Sequence, residues 1–213
     1  MTDAIIQLKV TLRDTKPPVW RRVQLRDCTL SELHEILQTT MGWGNGHLWS
    51  ITVGQEEFGD PEMTEGLEFS DAGATRLGEL LAGGIRNMEY LYDFGDGWQH
   101  RIQIEKVLEA EPGAVYPRCV DGAMACPPED CGGVWGYSSL IEAMADPKNT
   151  RREELLEWLG EEFHPEAFDI DATNRNLNVP RPAAEPAGSG SGSIPRKNAK
   201  KRSGKKAARR TGK

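Results

Sequence analysis

The chain of 213 residues divides into an acidic part and a basic part, a division that its net charge of −7 conceals. Residues 179–213 hold eleven Lys and Arg against one acid, a net charge of +10, which leaves −17 for residues 1–178. No window approaches eighteen apolar residues, and the start lacks the basic and apolar regions of a signal peptide, so we expect no membrane span and a cytoplasmic protein. In that compartment the four cysteines are predicted to be reduced thiols or metal ligands rather than disulfides.

Two strands and a helix are predicted at the start of the chain. Apolar side chains alternate from Ile6 to Leu12, and a second β-prone stretch runs from Val19 to Leu25 after a proline-rich turn. Thr29 and Glu32 have the spacing of a capping box, and the apolar face that follows them ends at Gly42. This segment is the clearest predicted helix of the chain.

The middle of the chain contains a strong hairpin pattern. Residues 48–53 predict a third strand, residues 55–74 a long surface loop, and residues 75–81 a short helix. Apolar positions then alternate from Met88 to Phe94 and again from Trp98 to Ile104, on either side of Gly95-Asp96-Gly97. An Asp-Gly pair supplies the positive φ angles that a tight hairpin turn needs.

The last third of the acidic part predicts irregular structure followed by helices. Residues 109–136 are rich in glycine and proline, residues 138–145 predict a helix, and Thr150 with Glu153 offers a second capping box. The element order lacks regular strand–helix alternation. It predicts an α+β fold, with a mixed or antiparallel sheet and helices packed on one face.

A change of composition predicts three regions. We interpret residues 1–178 as the folded domain, residues 179–194 as a Pro/Gly/Ser-rich linker, and residues 195–213 as a disordered basic tail.

Several motifs of the predicted domain resemble those of the plasmid pRiA4b ORF-3-like family. The first signature, Tyr90–His100, reads Y-L-Y-D-F-G-D-G-W-Q-H, and the second, Cys126–Tyr137, reads C-P-P-E-D-C-G-G-V-W-G-Y. Pro17–Arg22, Phe168-Asp169 and Asn174-Arg175 agree as well, so that the resemblance spans about residues 4–178. It implies a compact α+β fold and a relation to plasmid and insertion-element passenger proteins, but no established biochemical role. The basic tail lies outside it.

Acidic residues in both signatures are candidate ligands. If the fold brings the two signatures together, their carboxylates have the chemistry to hold a divalent cation. The competing interpretation is turn chemistry for these acids and a buried, hydrogen-bonded role for the histidine. The candidate ligand-binding residues are Asp93, Asp96, Trp98, His100, Glu129 and Asp130.

Three cysteines in the glycine- and proline-rich segment are candidate metal ligands. Cys119, Cys126 and Cys131 lack the paired C-x-x-C spacing of common zinc sites, but they have the chemistry to bind zinc with His100 or His47 as a fourth ligand. Packing of protonated thiols is the alternative. We expect no cofactor other than this zinc or another divalent metal.

Three functional hypotheses follow from the sequence. The leading one is a non-enzymatic binding or regulatory protein whose tail binds nucleic acid without sequence preference. The alternatives are a metal-assisted hydrolase that uses Asp93, Asp96, His100 and the Cys/Glu-Asp loop, and a protein-interaction adaptor with a groove formed by Trp43 and Trp135. The tail residues assigned to nucleic acid are Arg196, Lys197, Lys200, Lys201, Arg202, Lys205, Lys206, Arg209 and Arg210.

Overall fold

The computed structural model describes residues 4–63, 68–160 and 162–179, which build a mixed sheet and its helices. The strands are β1 (Ala4–Leu12), β2 (Trp20–Leu25), β3 (Trp49–Val53), β4 (Glu56–Gly59), β5 (Ser70–Asp71), β6 (Asn87–Tyr92), β7 (Trp98–Glu109) and β8 (Arg118–Ala123). The helices are α1 (Leu30–Met41), α2 (Leu77–Ala82), α3 (Gly133–Ala145), α4 (Arg152–Leu159) and α5 (Ile170–Leu177). The predicted α+β class is confirmed.

The sheet has the strand order β5-β4-β3-β6-β7-β1-β2-β8. All neighbouring strands run antiparallel except β4 and β5, which are parallel. The predicted hairpin of β6 and β7 occupies the centre, with Tyr92 opposite Trp98 and Tyr90 opposite His100. The first signature therefore lies at the centre of the sheet.

The central strand β7 shows why the alternating pattern predicts it well. Trp98, His100 and Ile102 are buried, while Gln99 and Arg101 between them are exposed. Side chains of a strand point alternately to its two faces, so one face of β7 belongs to the core. The buried face joins a single hydrophobic cluster to which α1 contributes Leu30, Leu33 and Leu37.

Helix α1 has the predicted ends. The backbone N–H of Glu32 donates to Thr29 Oγ1 at 3.1 Å, and the N–H of Thr29 donates to Glu32 Oε2 at 2.7 Å. Gly42 ends the helix with a φ of 96°. The capping box is therefore formed as predicted, and the chain leaves α1 through a left-handed glycine.

Helix α3 begins at Gly133, five residues before the predicted start. Gly132 and Gly133 have φ angles of 91° and 66°, and a Cβ on Gly136 would lie 1.7 Å from the carbonyl oxygen of Cys131. Glycines are usually a sign of loop, but here their missing side chains allow the first turn to form against the preceding segment.

Other boundaries also differ from the prediction. Strands β4 and β5 lie in the predicted surface loop, β8 lies in the predicted irregular segment, and α5 was not predicted. The predicted capping box of Thr150 and Glu153 is wrong. The residue before α4 is Arg151, and its side chain makes no capping hydrogen bond. Asn149 Oδ1 instead accepts a hydrogen bond from the N–H of Arg151 at 2.9 Å, in the turn that precedes the helix.

The predicted linker from residue 180 onward and the predicted basic tail lie outside the described residues. Among the described helices, none combines the length and apolar character that a membrane crossing requires.

Candidate functional site

A loop of residues 42–48, between α1 and β3, is held against the second signature. The indole Nε1–H of Trp43 donates to the carbonyl of Pro127 at 3.0 Å, and the N–H of Gly44 donates to Glu129 Oε1 at 2.9 Å. The ring of Trp43 is buried and stacks on Tyr92, with 4.8 Å between the centroids. The loop is therefore fixed to the sheet and to residues 127–129 at once.

A buried polar network that includes His34 and Gln38 of α1 also holds the loop of residues 42–48. The imidazole of His34 stacks on Trp49 with ring centroids 4.0 Å apart and bonds to Tyr90 Oη at 2.9 Å. Its other nitrogen bonds to Asn45 Oδ1 at 2.7 Å, and Gln38 Oε1 accepts the N–H of Asn45 at 3.0 Å. Asn45 has a φ of 58°, a conformation that asparagine tolerates better than most residues.

Tyr92 links the first signature to the second. Its hydroxyl donates to Glu129 Oε1 at 2.9 Å and accepts the N–H of Gly46 at 3.2 Å. Burial, together with the bond to Glu129, raises the pKa of Tyr92, so that the phenol stays protonated and remains a donor. Glu129 Oε2 is buried and has no hydrogen-bond partner among the described residues.

His47 sits at the centre of a cluster of three carboxylates. Its Nδ1 lies 3.8 Å from Asp93 Oδ2, and its Nε2 lies 3.8 Å from Glu129 Oε2 and 3.5 Å from Asp130 Oδ1. One potential ligand atom from each of His47, Asp93 and Asp130 lies within 4.8 Å of the other two. We call these three residues the His47 cluster.

The acids of the His47 cluster differ in exposure. Asp93 is 7% exposed and its Oδ1 accepts the N–H of Gly95 at 2.9 Å, whereas the side chain of Asp130 is 74% exposed. Asp93 and Asp130 have φ angles of 54° and 55°, which places each at a sharp bend of its own loop. The cluster therefore has a buried side that faces the sheet and an open side that faces solvent.

Asp96 joins the signatures at a second point. Its Oδ2 accepts the N–H of Gly132 at 3.1 Å, at the start of α3. The structure thus brings together Asp93, Glu129 and Asp130 around His47, and Asp96 next to them at the first turn of the helix. The two signatures converge in space.

His100 and Trp98, in contrast, lie in the core beneath this surface. His100 is completely buried, with Nδ1 donating to the Tyr90 carbonyl at 3.3 Å and Nε2 without a partner among the described residues. Burial lowers the pKa of His100 to about 4, so the imidazole is neutral. Trp98 is also completely buried, and its Nε1 has no described partner.

The cysteines are not brought together with His100. Within the described ranges, no group of three potential ligand atoms contains a cysteine or His100. Cys119 is buried on β8, with its Sγ donating to the Asp121 carbonyl at 3.3 Å. Burial raises the pKa of Cys131 to about 12 and raises that of Cys126 as well, which keeps both thiols protonated.

The signal that sequence reasoning missed is the combination of His47 with the carboxylates. The sequence predicts His47 only as a fourth ligand of a cysteine site, and it lies about forty residues before the first signature and about eighty before the second. Its position in a glycine-rich loop gives no indication of its neighbours. Of the two groove candidates, Trp43 is buried and Trp135 is 86% exposed. The tail residues assigned to nucleic acid lie outside the described ranges.

Comparison with known proteins agrees with this architecture. Residues 4–172 match the model of the family described as plasmid pRiA4b ORF-3-like protein. The chain is 41% identical over 180 residues to the uncharacterized protein y4hQ of Sinorhizobium fredii, covering 84% of this chain and 89% of y4hQ. It also resembles the crystal structure of the protein of unknown function MM3350 from Methanosarcina mazei Go1, with 32% identity, a TM-score of 0.73 and coverage of 80% of this chain and 98% of MM3350. The chain therefore belongs to the plasmid pRiA4b ORF-3-like family.

Proposed function

We propose that the folded domain binds a divalent metal ion through His47, Asp93 and Asp130. The observation that carries this proposal is the convergence of one imidazole and two carboxylates, from three separate loops, within 4.8 Å. Glu129 adds a buried carboxylate oxygen without a described hydrogen-bond donor, 3.8 Å from His47. A buried anionic oxygen needs a positive partner, and a cation supplies one.

The ligand types narrow the choice of ion. Imidazole nitrogen suits zinc and its neighbours, whereas calcium and magnesium are usually held by oxygen atoms alone. Zinc binds nitrogen and oxygen at about 2.1 Å, which separates tetrahedral ligand atoms by about 3.4 Å. The ligand atoms of His47, Asp93 and Asp130 lie within 4.8 Å of one another, so the side chains must rotate closer together, with one imidazole nitrogen as the ligand, to reach that spacing around an ion. Zinc is the first candidate and manganese the second.

The open side of the cluster favours a reactive ion over a purely structural one. Three protein ligands and a solvent-facing position are typical of catalytic zinc, where the ion lowers the pKa of a bound water. The exposed side chain of Asp130 leaves such a position in the His47 cluster. This feature supports a metal-assisted hydrolase with His47, Asp93 and Asp130 as ligands, in place of a site built from His100 and the cysteines.

Titration of the metal-free full chain with zinc, followed by calorimetry, tests the proposal. We expect one ion per chain and a loss of affinity of tenfold or more in His47→Ala and in Asp93→Asn. Asparagine tolerates the positive φ of position 93, so the second variant should keep the backbone. His164→Ala is the matched control, because His164 is exposed and pairs with Glu162 at 3.4 Å on the surface.

Three outcomes separate the metal site from its competitors. Absence of zinc binding in the unaltered chain would overturn the proposal and leave the His47 cluster as a set of polar contacts without a metal. Zinc binding that survives His47→Ala but fails in a Cys126→Ser, Cys131→Ser variant would assign the metal to the thiols. Cobalt in place of zinc reports binding to the thiols directly, because cobalt bound to a thiolate gives a charge-transfer absorption band. Hydrolysis of chromogenic esters that needs zinc and is lost in Asp93→Asn would support the enzyme.

A second candidate function rests on the charge of the tail. Ten Lys and Arg and no acid occur in residues 195–213, whereas residues 1–178 carry −17. Such a segment neutralises phosphates without reading bases, and it has no aromatic residue on which a base can stack. We propose that the tail gives the chain non-specific affinity for nucleic acid.

Deletion of residues 188–213 tests that candidate in a salt-titrated DNA-binding assay. We expect binding by the full chain to weaken steeply with salt and binding by the truncated chain to disappear. Equal retention of both proteins would refute the role of the tail. The His47→Ala variant should bind DNA like the full chain, since the metal cluster and the tail act independently in this proposal.

A further inference from the structure

Trp135 is an exposed tryptophan beside a wide cleft. Its side chain is 86% exposed, whereas Trp43, Trp49 and Trp98 are buried. Helix α3 buries Gly133, Tyr137 and Leu140, which lie on one helical face, and Trp135 lies on the opposite face. The tryptophan is therefore not a displaced core residue, and its indole is available for contact with another molecule.

The cleft next to Trp135 is formed by three segments that meet at the junction of the two signatures. It has a volume of about 870 Å³ and is lined by the β1–β2 turn, the hairpin turn and the first turns of α3. Its walls hold two carboxylates, Asp14 and Asp96, and one ammonium group, Lys16. A space of this size holds a segment of chain rather than one side chain.

The chemistry of the cleft favours a cation over an anion. The start of a helix attracts anions, but here Asp96 Oδ2 already accepts the N–H of Gly132 and places a negative charge at that end. A tryptophan face binds guanidinium and ammonium groups, and flanking carboxylates strengthen this attraction. The net charge of −17 on residues 1–178 also attracts basic molecules from a distance.

We propose that this cleft docks an arginine-bearing basic segment of a partner protein. One guanidinium stacks on the exposed face of Trp135, and a second basic group of the same segment pairs with Asp14. Lys16 repels a bound cation, so it lowers the affinity of the cleft for a basic segment. It also favours segments whose basic groups are spaced so that none lies next to Lys16. The lining also includes Gly95 and Gly133, where a Cβ would lie 3.2 Å from Asp93 Oδ1 and 2.6 Å from the Asp96 carbonyl oxygen, so these glycines let the hairpin turn and the start of α3 meet closely at the cleft.

An arginine-glycine peptide, acetyl-Arg-Gly-Arg-Gly-Arg-amide, serves as the probe, with the glutamine-for-arginine peptide as its counterpart. Binding to the full chain is measured in the presence of EDTA, so that a metal at the His47 cluster does not contribute. We expect Trp135→Ala to weaken binding of the arginine peptide by about tenfold and Asp14→Asn by a few-fold. Lys16→Gln should strengthen it, because it removes a like charge.

Controls make each of these results decisive. Trp158 on α4 is 50% exposed and lies outside the cleft, so Trp158→Ala should leave peptide binding unchanged. Asparagine at position 14 tolerates the φ of 62° found there, and an unchanged thermal transition confirms that each variant is folded. His47→Ala should also bind the peptide normally, which separates this docking surface from the proposed metal site.

The proposal is overturned if the glutamine peptide binds as well as the arginine peptide, or if Trp158→Ala weakens binding as much as Trp135→Ala. Self-association of the full chain that Trp135→Ala abolishes would assign the cleft to a second copy of this protein instead. Tighter binding of a polyglutamate peptide than of the arginine peptide would reverse the assigned charge of the ligand. The docking proposal is supported if Trp135→Ala selectively loses binding of the arginine peptide and Lys16→Gln binds that peptide more tightly.

Discussion

Asp96 Oδ2 accepts a hydrogen bond of 3.1 Å from the backbone N–H of Gly132, which joins the turn of the central hairpin to the start of α3. The next glycine packs on the same turn, because a Cβ added to Gly133 would lie 2.6 Å from the backbone oxygen of Asp96. Two residues that lie 36 positions apart in the sequence, one in each signature, thus meet in the fold. The His47 cluster and the Trp135 cleft lie next to this contact.

Gly133→Ala should therefore lower the free energy of unfolding by more than the cost of a positive φ in alanine alone. The φ of 66° alone costs alanine about 1–2 kcal/mol, and the overlap with Asp96 adds about 1–3 kcal/mol. Gly84→Ala is the control, since Gly84 has a φ of 91° but a Cβ there would meet nothing within 4 Å. Urea unfolding of both variants measures the difference. Equal losses would show that the hairpin turn moves aside without cost.

Asp96→Ala should destabilise the start of α3, whereas Asp96→Asn should largely preserve it. Alanine removes the acceptor of the Gly132 N–H, which costs about 1–2 kcal/mol at a helix start. Asparagine keeps an acceptor oxygen and loses only the charge next to the helix, a smaller effect of about 0.5 kcal/mol. Thermal unfolding of the two variants gives the order. If asparagine is as damaging as alanine, the charge of Asp96 matters more than its hydrogen bond.

The sequence predicts those elements whose stability is local. The capping box of Thr29 and Glu32 and the alternation along β6 and β7 involve residues near one another in the chain, and both are confirmed. Strand β8 has no such pattern, and it forms because its backbone pairs with β2. Asn174 from α5 adds to this, bonding the N–H and the carbonyl of Cys119 at 2.7 and 2.9 Å.

The candidate site was predicted only in part, for the same reason. Asp93, Glu129 and Asp130 stand out in the signatures, and turn chemistry explains part of their geometry. Their common neighbour His47 is brought to them by bonds of Trp43 and Gly44 to residues 127 and 129, contacts of more than eighty residues in sequence separation. No local pattern carries that information. His100, on a strand face that the alternation places inward, is buried as that alternation implies.

His100 should make the stability of the protein depend on pH between about 4 and 6.5. Burial lowers its pKa to about 4, so the unfolded chain binds a proton in this range that the folded chain does not. Stability is therefore lost as the pH falls, by about 2 kcal/mol from pH 7 to pH 5 for this group alone. His100→Phe removes the group but keeps an aromatic ring. Urea unfolding at the two pH values should show a smaller loss in the variant, and an equal loss would assign the dependence to other residues.

Arg21 connects two further segments of the family resemblance, the start of β2 and the approach to α5. It is 2% exposed, and its guanidinium lies over the ring of Phe168, 3.9 Å from the centroid. Its Nη1 donates to the carbonyls of Trp20 and Ala123 at 2.8 Å each, and its Nε donates to the carbonyl of Thr40 at 3.3 Å. Carbonyl oxygens and an aromatic face thus solvate a buried cation.

Arg21→Lys should consequently destabilise the protein by about 2–4 kcal/mol, although it conserves the charge. A lysine ammonium group cannot present the planar fork that reaches these carbonyls and stacks on Phe168, so buried acceptors lose their donors. Arg22→Lys is the matched control, because the neighbouring side chain pairs with Glu105 and Asp121 at the partly exposed surface and should cost about 1 kcal/mol or less. Urea unfolding of both variants makes the comparison. Similar losses at the two positions would mean that charge alone, and not the planar guanidinium, is needed at position 21.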